Sequence, residues 1–159
     1  MTRDPIAELS HDHGRLSSLV LDVKGILARV SGEELAFEEG ADALLENAEV
    51  LREELLLHFA LEEEGLFPFL EAHAASLLPR VEALRGQHDA ICTRASELAL
   101  AATQSARDRV GFATCLAAFE RFEQLYAAHA KDELAFLADL DAALAADERE
   151  RLRTLLAAL

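Results

Sequence analysis

Within HFALEEEGLFPFL, His58 and Glu62 stand four residues apart on a stripe that also carries Leu55, Leu66 and Phe69. At helical spacing these side chains share one face, the face a helix turns toward its core. An unpaired imidazole and an ionised carboxylate in apolar surroundings are costly, so the pair must bond to each other, reach solvent or bind something. The chain poses the same problem twice. His129 and Glu133, in HAKDE, repeat the HxxxE spacing, and a lone histidine precedes each copy: His13 in DHGRL and His88 in QHDAI. His13 recurs at His88 after 75 residues, and His58 with Glu62 recurs at His129 with Glu133 after 71.

Alternating steps of three and four carry each motif on a long apolar stripe, which predicts helices in a bundle. The first stripe is Ile6, Leu9, His13, Leu16, Val20, Val23, Leu27 and Val30, opened by Asp4 as N-cap and Pro5, and ended by Ser31 and Gly32. The second runs Leu44, Ala48, Leu51, Leu55, His58, Glu62, Leu66, Phe69, with a bend expected at Pro68. The third follows Ser76 and Pro79 through Val81, Leu84, His88, Ile91 or Cys92, Ala95 and Leu98. The fourth is Phe112, Cys115, Phe119, Phe122, Tyr126, His129, Glu133, Phe136 or Leu137, Leu140 and Leu144. Alanine, leucine and glutamate dominate, with 7 glycines, 3 prolines and no tryptophan, a helical vocabulary. The expectation is an all-α, up-down-up-down four-helix bundle over residues 1–146, with a short fifth helix over 147–159 packing on it and opened by Asp147 with Glu150 as a capping box. Leu152, Leu155, Leu156 and Leu159 on that helix suit either covering the bundle or self-association, and the oligomeric state is not legible.

Bundle geometry then assembles the polar residues. With the first hairpin turning across residues 31–40, His13 and His58 each lie about 27 Å from that turn at 1.5 Å per residue, so they are level. His88 and His129 come level about the second hairpin, centred in QSARDRVG. Glu62 and Glu133 follow one helical turn beyond their histidines, giving four imidazoles and two carboxylates near one end of the bundle. Two carboxylates can bridge a pair of ions while two histidines cap each, with room for a bridging oxide or hydroxide. Imidazole with carboxylate suits iron, manganese or zinc. The ferritin-like alternative needs two ExxH motifs, and only Glu8 with His11 offers one; a rubrerythrin-like electron relay would need cysteines that are missing. The competing bland reading is a set of core histidines satisfied by glutamates, and it requires six matched positions to coincide.

The net charge of −15 speaks against nucleic acid and anionic membrane surfaces as partners. Two distant cysteines make no disulfide framework, the N-terminus has no apolar leader, and no run approaches membrane-spanning length. A cytoplasmic protein is expected.

With DHGRL, HFALEEEGLFPFL, QHDAI and HAKDE in place, the chain from about residue 5 to 144 resembles the hemerythrin-like, or HHE cation-binding, domains, and LFPFL is especially like that family. The resemblance implies a non-haem di-iron centre in a left-handed four-helix bundle, with His13, His58, Glu62, His88, His129 and Glu133 as ligands, and manganese or zinc as substitutes for iron. It implies as partner a small diatomic ligand, oxygen or nitric oxide, or peroxide. Oxygen carriers of the family have a fifth histidine where this chain has Cys92, and an aspartate one residue beyond Glu133. That departure leaves an exchangeable position on both irons and points from reversible carriage toward sensing, reaction with peroxide or nitric oxide, or labile iron. Tyr126, one turn before His129, can offer a bound ligand a hydrogen bond or pack as an ordinary core aromatic; Cys92 can be a soft nearby group or a small hydrophobe. Cys115 reads as core, His11 and His73 as solvent-facing, and Glu63 and Glu64 as a solvated face. Two functional classes remain beside a purely structural module: a protein that binds or senses oxygen or nitric oxide, and a redox enzyme acting on peroxide or nitric oxide.

Overall fold

The computed structural model describes residues 4–104 and 106–159. Residues 1–3, part of the N-terminal segment in which no apolar leader is expected, and Ser105, in the stretch QSARDRVG, lie outside the described residues. Helix α1 spans Pro5–Ser31, α2 Phe37–Leu61, α3 Phe67–His73, α4 Leu78–Gln104, α5 Arg109–Ala143 and α6 Ala146–Leu156. A π-helical turn, Glu62–Leu66, joins α2 to α3, and a 3₁₀ turn, Ala75–Leu77, leads into α4. No strand occurs among the described residues. The continuous α2–π–α3 arm together with α1, α4 and α5 makes the four-helix bundle, and α6 is the short fifth helix. Each long helix packs on its chain neighbours and α1 closes against α5. None of these helices is long and apolar enough to cross a membrane.

The ends follow local chemistry. Asp4 Oδ1 accepts from the Ile6 and Ala7 amides at 2.9 and 3.2 Å, and Pro5 sits where a missing N–H costs nothing. Asp108, an N-cap that apolar spacing did not reveal, accepts from Gly111 N at 2.8 Å and starts α5 ahead of its stripe. The first turn is tighter than expected, because α2 already begins at Phe37. Gly40 makes that possible: a Cβ there would lie 2.3 Å from Val30 Cγ2, so the two helices approach closely just past their hairpin. Helix α6 begins at Ala146 rather than Asp147, and the reciprocal contact comes from Glu148, whose Oε2 accepts from the Ala145 amide at 2.9 Å; alanine has no side-chain acceptor, so the box is half complete.

Pro68 acts upstream of where it stands. It occupies the first turn of α3, and the irregularity it demands is taken up by the π turn before it, whose Glu62 carbonyl accepts from the amide of Phe67 five residues on. A proline cannot supply the hydrogen bond of a regular helix, and a widened turn redistributes the carbonyls that would be left without donors. The distortion therefore begins at Glu62.

Two apolar clusters form the core. One lies toward the hairpin ends, with Leu16, Leu27, Leu44, Leu51, Leu98, Phe119 and Phe122; the other holds Ile6, Leu9, Phe67, Leu84, Phe136, Leu140 and Leu152. On every long helix the polar motif falls between them: His13 between Leu9 and Leu16, His88 between Leu84 and Ile91. Leu152 of α6 is fully buried in the second cluster, and Leu156 and Leu159 reach over Gly65 in the π turn, where a Cβ would stand 2.4 Å from Leu156 Cδ2. The end of the bundle to which the histidines belong is thus closed by apolar packing, and the polar residues form an internal layer.

Candidate metal centre

His13 on α1, His58 on α2, Glu62 at the start of the π turn, His88 on α4, and His129 and Glu133 on α5 meet in this layer, none more than 3 % exposed. Their donor atoms fall into two groups, each spanning less than 4.8 Å: His13, His58 and Glu133 in one, Glu62, His88 and His129 in the other. Each group takes two histidines from one hairpin and a carboxylate from the other. Glu133 Oε1 lies 2.7 Å from His13 Nε2 and 3.5 Å from His58 Nε2, while its Oε2 lies 2.9 Å from His129 Nε2. Glu62 Oε2 is 3.3 Å from His88 Nε2 and its Oε1 is 3.8 Å from His58 Nε2. Both carboxylates therefore reach both groups, as a bridging pair would.

These atoms are close without being hydrogen-bonded. Ten nitrogen and oxygen atoms of the six side chains are buried and have no hydrogen-bond partner: both ring nitrogens of His13 and His58, Nε2 of His88 and of His129, and all four carboxylate oxygens. Buried polar atoms normally find partners. Lone pairs that crowd together yet miss one another are aimed at common points between them, the arrangement a cation satisfies. The nitrogen and oxygen donor set fits such ions.

Electrostatics agree. Burial, the neighbouring Glu133 and the charge of Glu63 hold the Glu62 carboxyl well above the usual glutamate value. Burial works on Glu133 as well, but there it is outweighed by Glu62 and by the imidazoles of His129, His13 and His58, and Glu133 stays ionised. Without a cation the two carboxyls cannot both carry charge in this interior. His88 is pushed below the ordinary imidazole value by burial, partly offset by Glu63, with His129 adding to the depression.

The outer nitrogens divide the site. Glu63 Oε1 accepts from His88 Nδ1 at 2.6 Å, and Gln87 Oε1 accepts from His129 Nδ1 at 2.8 Å. With Nδ1 donating, each Nε2 presents its lone pair to the centre. His13 and His58 have no such partner among the described residues. The repeat accounts for half of the difference: Leu134, which cannot accept a hydrogen bond, stands where the counterpart of Glu63 would be, whereas Asp12 stands where that of Gln87 would be and makes no such contact. Sequence reading left Glu63 on a solvated face and did not single out Gln87. Glu63 is exposed, as expected, and reaches His88 Nδ1 from the surface; adjacency to Glu62 and to His88 was the available signal for the two residues. Phe59 stacks on His88 at 3.9 Å with rings 7° apart and meets His129 edge-on at 5.3 Å, shielding that half from water.

Tyr126 is buried one turn before His129, stacked on Phe122, and its hydroxyl has no hydrogen-bond partner. Burial pushes its phenol up to about 12, with the Ser17 hydroxyl pulling slightly the other way and Glu133 adding to the rise. Cys92 is half-buried beside a shallow surface depression with Asp89, Thr93 and Glu97, and Ile91 takes the core position that sequence left open between them. Cys115 is fully buried, its thiol pushed up to about 11 by burial. His11 and His73 are exposed, and His73 Nδ1 lies 2.9 Å from the Phe69 carbonyl near the end of α3.

The family model for the hemerythrin HHE cation binding domain matches residues 4–135, a stretch that runs from the N-cap of α1 past Glu133. No curated protein and no solved structure matches the chain.

Proposed function

The chain belongs to the hemerythrin HHE cation-binding family, and on that premise we propose that it is a non-haem di-iron protein binding a small diatomic ligand, oxygen or nitric oxide, for sensing, storage or stress response. The observation that carries this reading is the convergence of six buried side chains, whose inward ring nitrogens and carboxylate oxygens have no hydrogen-bond partner, in two groups inside an apolar core. His13, His58 and Glu133 would hold one ion and Glu62, His88 and His129 the other. Manganese or zinc suits the same imidazole and carboxylate donors; iron is the ion this reading takes, because zinc has no redox chemistry to offer oxygen or nitric oxide and the family resemblance implies iron ahead of manganese. When bound, two irons supply electrons and coordination positions for a small ligand.

The protein's own groups shape what happens there. The apolar clusters on either side of the layer exclude water. Glu63 and Gln87 orient His88 and His129. Tyr126 keeps its proton at neutral pH and can donate it in a hydrogen bond to a ligand at the centre. The same buried hydroxyl also suits a second reading, a redox enzyme acting on peroxide or nitric oxide, in which it would position the ligand by hydrogen bonding rather than give up its proton. Net charge −15 repels nucleic acid and anionic membranes, so the small ligand is the partner in this reading, and the unpaired cysteines Cys92 and Cys115 suit the reducing cytoplasm.

Metal analysis and visible spectroscopy on protein purified without chelators test the reading. Two irons per chain, with absorption that changes in air and returns when oxygen is withdrawn, is the expected result. Peroxide consumption with oxygen release would move the assignment to the enzyme. A protein that folds and rejects iron would make the layer structural.

A further inference from the structure

Between α1 and α2 lies a cavity of about 340 Å³ that opens to solvent and has His58 in its wall. It is the only one of the prominent cavities among the described residues that touches a member of the buried polar layer. Its rim carries three carboxylates, Asp12, Glu54 and Glu64, against one cation, Arg15. Arg15 is paired with Glu54, which leaves Asp12 and Glu64 as the net charge at the opening. His58 is 3 % exposed and neither of its ring nitrogens has a partner. The second buried pair, His88 and His129, is sealed behind Phe59 and tied by Glu63 and Gln87, and the depression near it, around Asp89, Cys92 and Glu97, contains no residue of the layer.

We infer that the α1–α2 cavity is the path by which a divalent cation reaches the buried centre, with Asp12 and Glu64 drawing it in and His58 receiving it. This rests on the metal-binding reading above. A lined path answers a physical difficulty, because six side chains this deeply buried cannot meet a hydrated ion without an opening. Charge decides what travels along it. A neutral gas has no use for a rim of carboxylates, whereas a cation is concentrated by one, and a ring nitrogen with a free lone pair at the inner end gives it a first point of attachment. His13 and His58 lack the outer hydrogen bonds that hold His88 and His129, so no outer partner has to be broken when an ion takes their ring nitrogens.

The test separates rate from capacity. Metal-free full-length chain is mixed with cobalt(II), and both the rate of uptake, from the appearing visible absorption, and the final number of ions bound are measured. Two bound ions in every variant confirms the centre itself. D12N/E64Q is expected to slow uptake roughly three- to tenfold at low salt, with the difference shrinking as salt is added. Ala60→Trp, which places a bulky ring on the exposed cavity wall, is expected to slow uptake at every salt concentration. D89N/E97Q, which removes two charges at the depression on α4, is expected to leave the rate unchanged. Full capacity with equal rates in D12N/E64Q, Ala60→Trp and the parent chain would overturn the path while leaving the centre intact. A parent chain that binds no cobalt and no iron would overturn both.

Discussion

Glu63 and Gln87 do for His88 and His129 what no residue does for His13 and His58: each accepts the Nδ1 proton and fixes which nitrogen faces the centre. Partners of this kind hold a ligand's ring in orientation and raise its basicity, and losing one weakens metal binding about 10- to 100-fold. Glu63→Ala is therefore expected to weaken metal retention by that factor in competition with a chelator, while helix content stays the same. An unchanged affinity would return Glu63 to the role of surface carboxylate. Neither residue was visible as functional from the chain alone, because each acts on a histidine of a neighbouring helix, 25 and 42 residues away in the chain.

Among the elements, the glycines show where a helix has room and where it does not. Gly25 lies in the exposed middle of α1 with nothing near its absent side chain, and Gly25→Ala is expected to stabilise the protein by about 1 kcal/mol through helix propensity. Gly40 has the same propensity to gain, but its Cβ would meet Val30 Cγ2 at 2.3 Å. Valine is stiff in a helix, and overpacking costs about 1 to 3 kcal/mol, so Gly40→Ala is expected to destabilise. Thermal or urea unfolding of the two variants reads opposite signs if α1 and α2 meet as described. Leu152 gives the third measure: fully buried under the second cluster, Leu152→Ala is expected to cost about 2 to 5 kcal/mol, whereas a tail merely resting on the surface would cost little.

For the molecule as a whole, the polar layer couples stability to metal and to pH. Each ion bound at a hundredfold excess over its dissociation constant adds about 2.7 kcal/mol to the folded state. The metal-free fold keeps a proton on Glu62 that the unfolded chain loses above the ordinary value of 4.5, so on this account metal-free stability falls as pH rises past that point. Cation binding expels that proton, and protons compete with it through a window that begins above 4.5. The gap in Tm between metal-loaded and chelator-treated protein is thus expected to widen as pH rises above 4.5. A gap that stays constant over that range would mean Glu62 is ionised without the metal.

The amino-acid sequence by itself determined the helices, their inward faces and the meeting of six polar residues, because period and level in a bundle follow from 1.5 Å per residue and short turns. All eight positions of the first stripe, from Ile6 to Val30, are buried, as are all six motif residues. It also held the caps at Asp4 and Asp108, though only the first was read. What the tertiary structure alone decided is the direction of individual side chains where regular geometry breaks. Glu63, in the π turn, meets His88 of α4, Ile91 rather than Cys92 enters the core, and α6 closes over Gly65. Each depends on which neighbour fills a given space, and packing of that kind is set by contacts between residues far apart in the chain, to which a local pattern is blind.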